Sequence, residues 1–143
     1  MKIAKNIQIA AYGLLRPNSE ADGTVYGYTM WNTGGFPVAL VDVSYKRRVE
    51  TKGSPIKVAL LKVDRDTINQ FDNIEQEGIM YKRILETVYL NDGDVTSAWF
   101  YQGVNDFWSK RLLQPKIKDG DWREFQKKRF DRLKGNINMN IFD

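Results

Sequence analysis

The 143-residue sequence predicts a mixed α+β chain, mostly antiparallel β with a few flanking helices, on three observations. Most of it alternates apolar and polar residues, or runs apolar over short stretches between turn residues, as strands with one or both faces covered do. Asn91, Asp92, Gly93 and Asp94 separate two such runs with residue types that tolerate positive φ, the composition of an antiparallel hairpin. Two further segments open on an acidic residue and then place apolar side chains at helical spacing.

In chain order, strands are expected over residues 7–12, 24–31, 37–41, 56–63, 81–90 and 95–102. Between the fourth and fifth, Asp64 or Asp66 caps a short helix whose stripe is Ile68 and Phe71 and which ends before Gly78. The second helix begins at Asp121, with Glu124 three residues on as in a capping box, and ends at Gly135. Its wheel puts Trp122, Phe125, Phe130 and Leu133 on one face and leaves Lys127, Lys128 and Arg132 largely off it. Residues 43–55 are polar enough for an exposed loop or edge hairpin. A single domain over residues 1–135 follows, with an Asn-rich tail at 136–143 expected to be flexible.

Composition narrows the function. With 42% apolar and 13% aromatic residues the chain folds rather than staying disordered. Cysteine and histidine are absent, which removes disulfides, thiol nucleophiles, His-based triads and zinc sites built on thiolate or imidazole. Any catalysis is left to carboxylates, lysines, hydroxyls and backbone amides. No apolar run is long enough for a signal peptide over residues 1–8 or for a bilayer crossing anywhere, so a cytoplasmic protein without membrane attachment is expected. The net charge of +4 is concentrated in residues 107–134, with ten Lys or Arg against four Asp or Glu. Nucleic-acid binding through Lys116, Lys118, Lys127, Lys128 and Arg132 would rest on that charge alone. It is not favoured, because the aromatic residues do not interleave with the basic ones as a stacking platform requires.

Two features carry candidate chemistry. Tyr12, Gly13, Leu14, Leu15, Arg16 and Pro17 directly follow an apolar strand, and consecutive amides in such a turn converge on an anion or a developing oxyanion. Most glycine-containing turns after strands are only turns, so the pattern leaves both readings open. Glu75 sits seven residues after Ile68 and four after Phe71, on the apolar stripe if the helix reaches it. Burial there raises a carboxyl pKa toward neutrality, which suits a group that takes up a proton and returns it. The alternative is a helix that stops near Asn73, with Glu75 solvated or paired to Lys82 or Arg83. Asp72 and Glu77 lie close by, but no recognised metal-binding spacing joins them.

The order of these pieces resembles the gamma-glutamylcyclotransferase-like family, which also includes gamma-glutamylamine cyclotransferases. The matching residues are Ala10 to Arg16; Gly23 to Gly27 leading to Gly35, Phe36, Pro37 and Val38; Val58 to Val63; Phe71, Asp72, Asn73, Ile74 and Glu75, then Tyr81 and Arg83; Ala98 to Tyr101; and Gly120, Asp121 and Trp122. The resemblance implies a small barrel-like α+β fold. It also implies release of 5-oxoproline from a γ-glutamyl amine or peptide, by attack of the substrate's own α-amine on its γ-carbonyl, with no cofactor and no metal. Glu75 would then be the general acid/base. Tyr12, Gly13, Leu14 and Leu15 would form the substrate-binding turn, with Arg16, Tyr81 and Tyr101 as pocket neighbours and a small γ-glutamyl molecule as partner. Leu14 stands where the family commonly has Ser or Thr. A non-catalytic binding module on the same fold is the alternative.

Overall fold

Ile9 and Ala10 are adjacent and both almost fully buried, which requires a strand covered on both faces. The computed structural model, which describes residues 6–13, 15–16, 20–41, 55–111, 116–117 and 119–142, with side chains through 132, shows both covers. Strand β1 (Ile7–Ala11) pairs antiparallel with β5 (Pro55–Val63), β5 with β2 (Gly23–Tyr26), β2 with β6 (Tyr81–Leu90) and β6 with β7 (Val95–Gly103). A parallel pairing of β7 with β1, at Ile9 and Trp99, closes these five into a barrel. Inside lie Ala10, Val25, Ile56, Val58, Val88, Ala98 and Phe100. Ile9 faces outward into a second core with Val63, Ile68, Tyr101 and Trp108.

The expected strand over 24–31 is two strands. At Gly27 the backbone has φ +100°, a conformation that side-chain-bearing residues avoid, and the chain leaves the barrel there. Beyond it β3 (Tyr28–Asn32) pairs antiparallel with β4 (Pro37–Val41), a two-stranded sheet packed against the barrel, and Trp31 makes an isolated bridge to Lys116. The hairpin at Asn91–Asp94 forms as its residues dictate. Leu90 N–H donates to the Asp94 carbonyl at 2.8 Å, and the Asp92 side chain accepts from Asp94 N–H at 2.9 Å.

Helix α1 (Arg65–Ile74) is capped by Asp64, whose side chain accepts from Thr67 N–H at 2.8 Å. Asp66 stays in the first turn, where it complements the helix dipole. At the other end Gln76 N–H donates to the Asn73 carbonyl at 3.2 Å and Glu77 N–H to the Asp72 carbonyl at 2.9 Å, a Schellman closure. That closure needs a left-handed residue at position 76, and Gln76 occupies it with φ +49°. A side chain there carries strain that glycine lacks. Gln76→Gly is therefore expected to raise stability by about 0.5–1 kcal/mol net of its own entropy loss. Thermal unfolding at neutral pH checks this, and a lower Tm contradicts it.

A short helix absent from the sequence reading, α2 (Asn105–Trp108), has no side-chain cap. Tertiary contacts hold it: the buried Trp108 indole donates from Nε1 to the Met80 carbonyl at 2.8 Å and meets Tyr81 and Phe107 edge-on. Helix α3 (Trp122–Phe142) starts where expected, with Asp121 accepting from Glu124 N–H at 3.2 Å. It does not stop at Gly135 but continues to Phe142. Trp122 is buried and stacks on half-buried Phe125 at 5.5 Å. Phe130, placed on the same face by the wheel, is instead 65% exposed, because the barrel supports only the first turns of this helix. The Leu133 side chain, Leu14 and the expected loop over residues 43–54 lie outside the described residues. No described helix is long and apolar enough to cross a membrane.

Candidate active site

At one end of the barrel, Ala10, Ala11, Tyr12, Gly13, Leu15, Phe36, Pro37, Glu75, Tyr81 and Tyr101 line a small cleft that is partly open to solvent. The turn after β1 supplies one wall and β4 begins a second at Pro37. The corner after α1 contributes Glu75, while β6 and β7 contribute the two other tyrosines. Among the described residues the turn is closed by Arg16 N–H donating to the Gly13 carbonyl at 2.9 Å, and no hydrogen bond engages the N–H of Gly13 or Leu15.

All three tyrosine hydroxyls are already engaged. Tyr12 donates to the Tyr101 carbonyl at 2.5 Å and accepts from Ala39 N–H at 3.1 Å. Tyr81 donates to the Pro37 carbonyl at 3.0 Å, and Tyr101 donates to Asp72 Oδ1 at 2.7 Å. Burial is the main reason each phenol titrates above its usual range, and the Glu75 charge adds to it at all three. They therefore act as neutral, locked walls.

Glu75 is the exception. It is the C-cap residue of α1, one position past the helix, so the helix stops nearer Asn73 than the stripe argument assumed. The carboxyl is nonetheless half-buried in the cleft rather than solvated. Neither basic neighbour neutralises it. Arg83 forks onto Asp72, Nε at 2.9 Å from Oδ1 and Nη2 at 3.2 Å from Oδ2, and Lys82 is exposed. Among the described residues no hydrogen bond or ion pair reaches the Glu75 side chain. Burial pushes its pKa up to about 7, and the negative end of the helix dipole acts in the same direction.

Tyr12, Gly13, Leu15, Glu75, Tyr81 and Tyr101 are thus brought to one cleft, although the chain separates Tyr12 from Tyr101 by 89 residues. Arg16 does not line it. Its buried guanidinium reaches Asp121 at 3.0 Å, on the side of a second, polar cleft. Phe36 and Pro37 are among the residues that carry the resemblance, but their place as a cleft wall, and that of Asp72 as the acceptor for Tyr101 and Arg83, depend on contacts between segments distant in sequence. Asp72 enters the sequence expectations as a carboxylate near Glu77 without metal-binding spacing and as part of the matched segment Phe71 to Glu75, and no group of three or more Asp or Glu side chains among the described residues is placed to hold a metal ion.

Chemically the cleft offers one carboxyl that titrates near neutrality and two unengaged amides, inside otherwise apolar walls. That set is able to move a proton and to hold an anionic oxygen.

The family model described as "Gamma-glutamyl cyclotransferase, AIG2-like" matches residues 5–124. Among solved structures, an AIG2-like protein from Mus musculus is 17% identical, with a TM-score of 0.59 over 78% of this chain and 86% of its own. A protein from Arabidopsis thaliana is 14% identical with a TM-score of 0.61, covering 94% of this chain and 91% of its own. YkqA from Bacillus subtilis is 18% identical with a TM-score of 0.62, and the match takes in 88% of this chain but 43% of YkqA. These likenesses show a shared fold. No curated protein matches.

Proposed function

The chain belongs to the AIG2-like gamma-glutamyl cyclotransferase family, and on that premise we propose that it releases 5-oxoproline from a γ-glutamyl amine or peptide, with Glu75 as general acid/base. The observation that carries the reading is a half-buried carboxyl that has no hydrogen-bond or ion-pair partner among the described residues and shares its cleft with Gly13 and Leu15, whose N–H groups are unengaged among those residues. An ionised Glu75 accepts a proton from the substrate's α-ammonium group. The freed amine attacks the γ-carbonyl carbon and forms the C–N bond of the five-membered ring. Negative charge collects on the carbonyl oxygen, toward the N–H groups of Gly13 and Leu15. As the bond to the departing amine breaks, Glu75 returns its proton to that nitrogen, and the second proton left on the new ring nitrogen passes to water, giving the neutral lactam and the free amine. Nucleophile and electrophile belong to one molecule, so a cleft that holds the chain curled supplies much of the acceleration through orientation.

The mechanism sets a pH dependence. Only ionised Glu75 accepts the proton, and its pKa lies at about 7, so kcat/KM rises with pH through that region and levels off above it. Measuring 5-oxoproline formation between pH 5 and 9 tests this. A rising limb centred near 4.5, the ordinary glutamate value, would contradict the assignment.

A further inference from the structure

Three residues before Glu75, the Asp72 side chain accepts three hydrogen bonds from two residues of the sheet. Its Oδ1 accepts the Tyr101 hydroxyl at 2.7 Å and Arg83 Nε at 2.9 Å, and its Oδ2 accepts Arg83 Nη2 at 3.2 Å. Its backbone carbonyl accepts Glu77 N–H in the closure that turns the chain at Glu75 and Gln76. Arg83 is itself held, with its guanidinium carbon 4.7 Å from the centre of the Trp99 ring on the paired strand. Asp72 thus ties the end of α1 to β6 through Arg83 and to β7 through Tyr101. The ring of Tyr101 lines the cleft, and its carbonyl receives the Tyr12 hydroxyl from the opposite wall.

We propose that Asp72 is a positioning residue for the cyclotransfer reaction: by accepting the Tyr101 hydroxyl and the Arg83 fork, it pins the corner that carries Glu75 against the cleft wall formed by Tyr101. This rests on the reading given under Proposed function. It assigns Asp72 no contact with substrate and no proton. Its effect is on distance, since a carboxyl on a loosened corner spends less time within reach of the α-ammonium group.

The test compares wild type with Asp72→Ala, Asp72→Asn and Tyr101→Phe, reading kcat, KM and the titration midpoint of the Glu75 carboxyl by carbon NMR. Glu75→Gln serves to assign the signal. Asp72 and Arg83 are the charged side chains that share Tyr101 with Glu75, so Tyr101→Phe, which removes the contact to Asp72 and no charge, separates lost contact from lost charge. Asp72→Ala is expected to lower kcat by about 10- to 100-fold with KM changed less than about threefold. Its Glu75 midpoint should fall from about 7 toward the ordinary value, as the corner opens to water. Asp72→Asn keeps an acceptor for Tyr101 but sets an NH2 donor against Arg83 Nη2 in place of Oδ2, so it should recover part of both. A folded Asp72→Ala with kcat and midpoint unchanged overturns the proposal, as does a folded Tyr101→Phe with both unchanged.

If Asp72→Ala melts below the assay temperature, Tyr101→Phe takes its place, removing the hydroxyl and keeping the ring. A lower kcat and midpoint there support the proposal, and wild-type values overturn it. A wild type that makes no 5-oxoproline defeats the reaction rather than the positioning. The midpoint then decides: lowered in Tyr101→Phe, which removes no charge, it supports pinning, and unchanged there it overturns it.

Discussion

Glu75→Gln is expected to lower kcat/KM for 5-oxoproline formation by about 10²–10⁴-fold, the range for removing a general acid/base. Glutamine keeps the shape of the side chain and loses only the proton chemistry, so KM should change far less than kcat. The same substitution should stabilise the fold, and the sign follows from linkage. The Glu75 carboxyl titrates at about 7 in the folded protein against 4.5 ordinarily, so between these values the folded state holds the proton more tightly than the unfolded one. Stability from that difference is fully present below pH 4.5 and is lost as pH rises through 7. At pH 8 the wild type bears that loss and the glutamine variant does not. Discounted for solvent screening at the exposed edge of the carboxyl, the gain is about 1–2 kcal/mol. Thermal unfolding at pH 5 and pH 8 reads it, as a variant that outlasts the wild type at the higher pH. An inactive variant that is also less stable at pH 8 would point to misfolding rather than lost chemistry.

The second large effect is on the fold. Gly120 has φ +62°, and a Cβ there would lie 1.8 Å from the Pro55 carbonyl oxygen and 3.0 Å from Ile56 Cα. These are backbone atoms of β5, already tied to this segment by Lys57 N–H donating to the Gly120 carbonyl at 2.8 Å. No rotamer change relieves such a contact, so residues 119–121 would have to part from β5. Asp121 would move with them, loosening both its cap on α3 and its ion pair with buried Arg16. Left-handed strain and overpacking together put Gly120→Ala at about 3–5 kcal/mol destabilising. Gly35→Ala is the control, since nothing lies within 4 Å of its Cβ position and its φ is ordinary. Urea unfolding of the two variants checks the contrast, and a Gly120→Ala within about 1 kcal/mol of wild type would refute it.

Legibility followed the range of the interaction. The hairpin at Asn91–Asp94 and the Asp64 cap could be read because their hydrogen bonds lie within a few residues of each other. Tyr26 and Tyr28 continue one alternation across Gly27, so the passage from barrel to second sheet left no break in the pattern. Helix α2 owes its existence to Trp108 reaching Met80, 28 residues away. Arg16 lies beside the turn in sequence, yet its side chain is drawn off by Asp121, 105 residues on.

The candidate site divides in the same way. Glu75 stood out because a carboxylate on an apolar stripe is costly without a reason, and that signal needs only local spacing. Its setting was hidden: the corner past α1, the Phe36 and Pro37 wall, and the diversion of Arg83 onto Asp72 all depend on strands distant in sequence. The family resemblance supplied the barrel closure, for which the pairing of β1 with β7 leaves no mark in the alternation.

The most direct test of the account is mass-spectrometric detection of 5-oxoproline and the released amine after incubating wild type and Glu75→Gln with a panel of γ-glutamyl amines and peptides. The account predicts both products in equal amounts from wild type on at least one member of the panel, and their near absence with the folded variant. Equal turnover by the variant would contradict the role of Glu75, and a folded wild type inactive across the panel would contradict the reaction itself in favour of a binding protein on the same barrel.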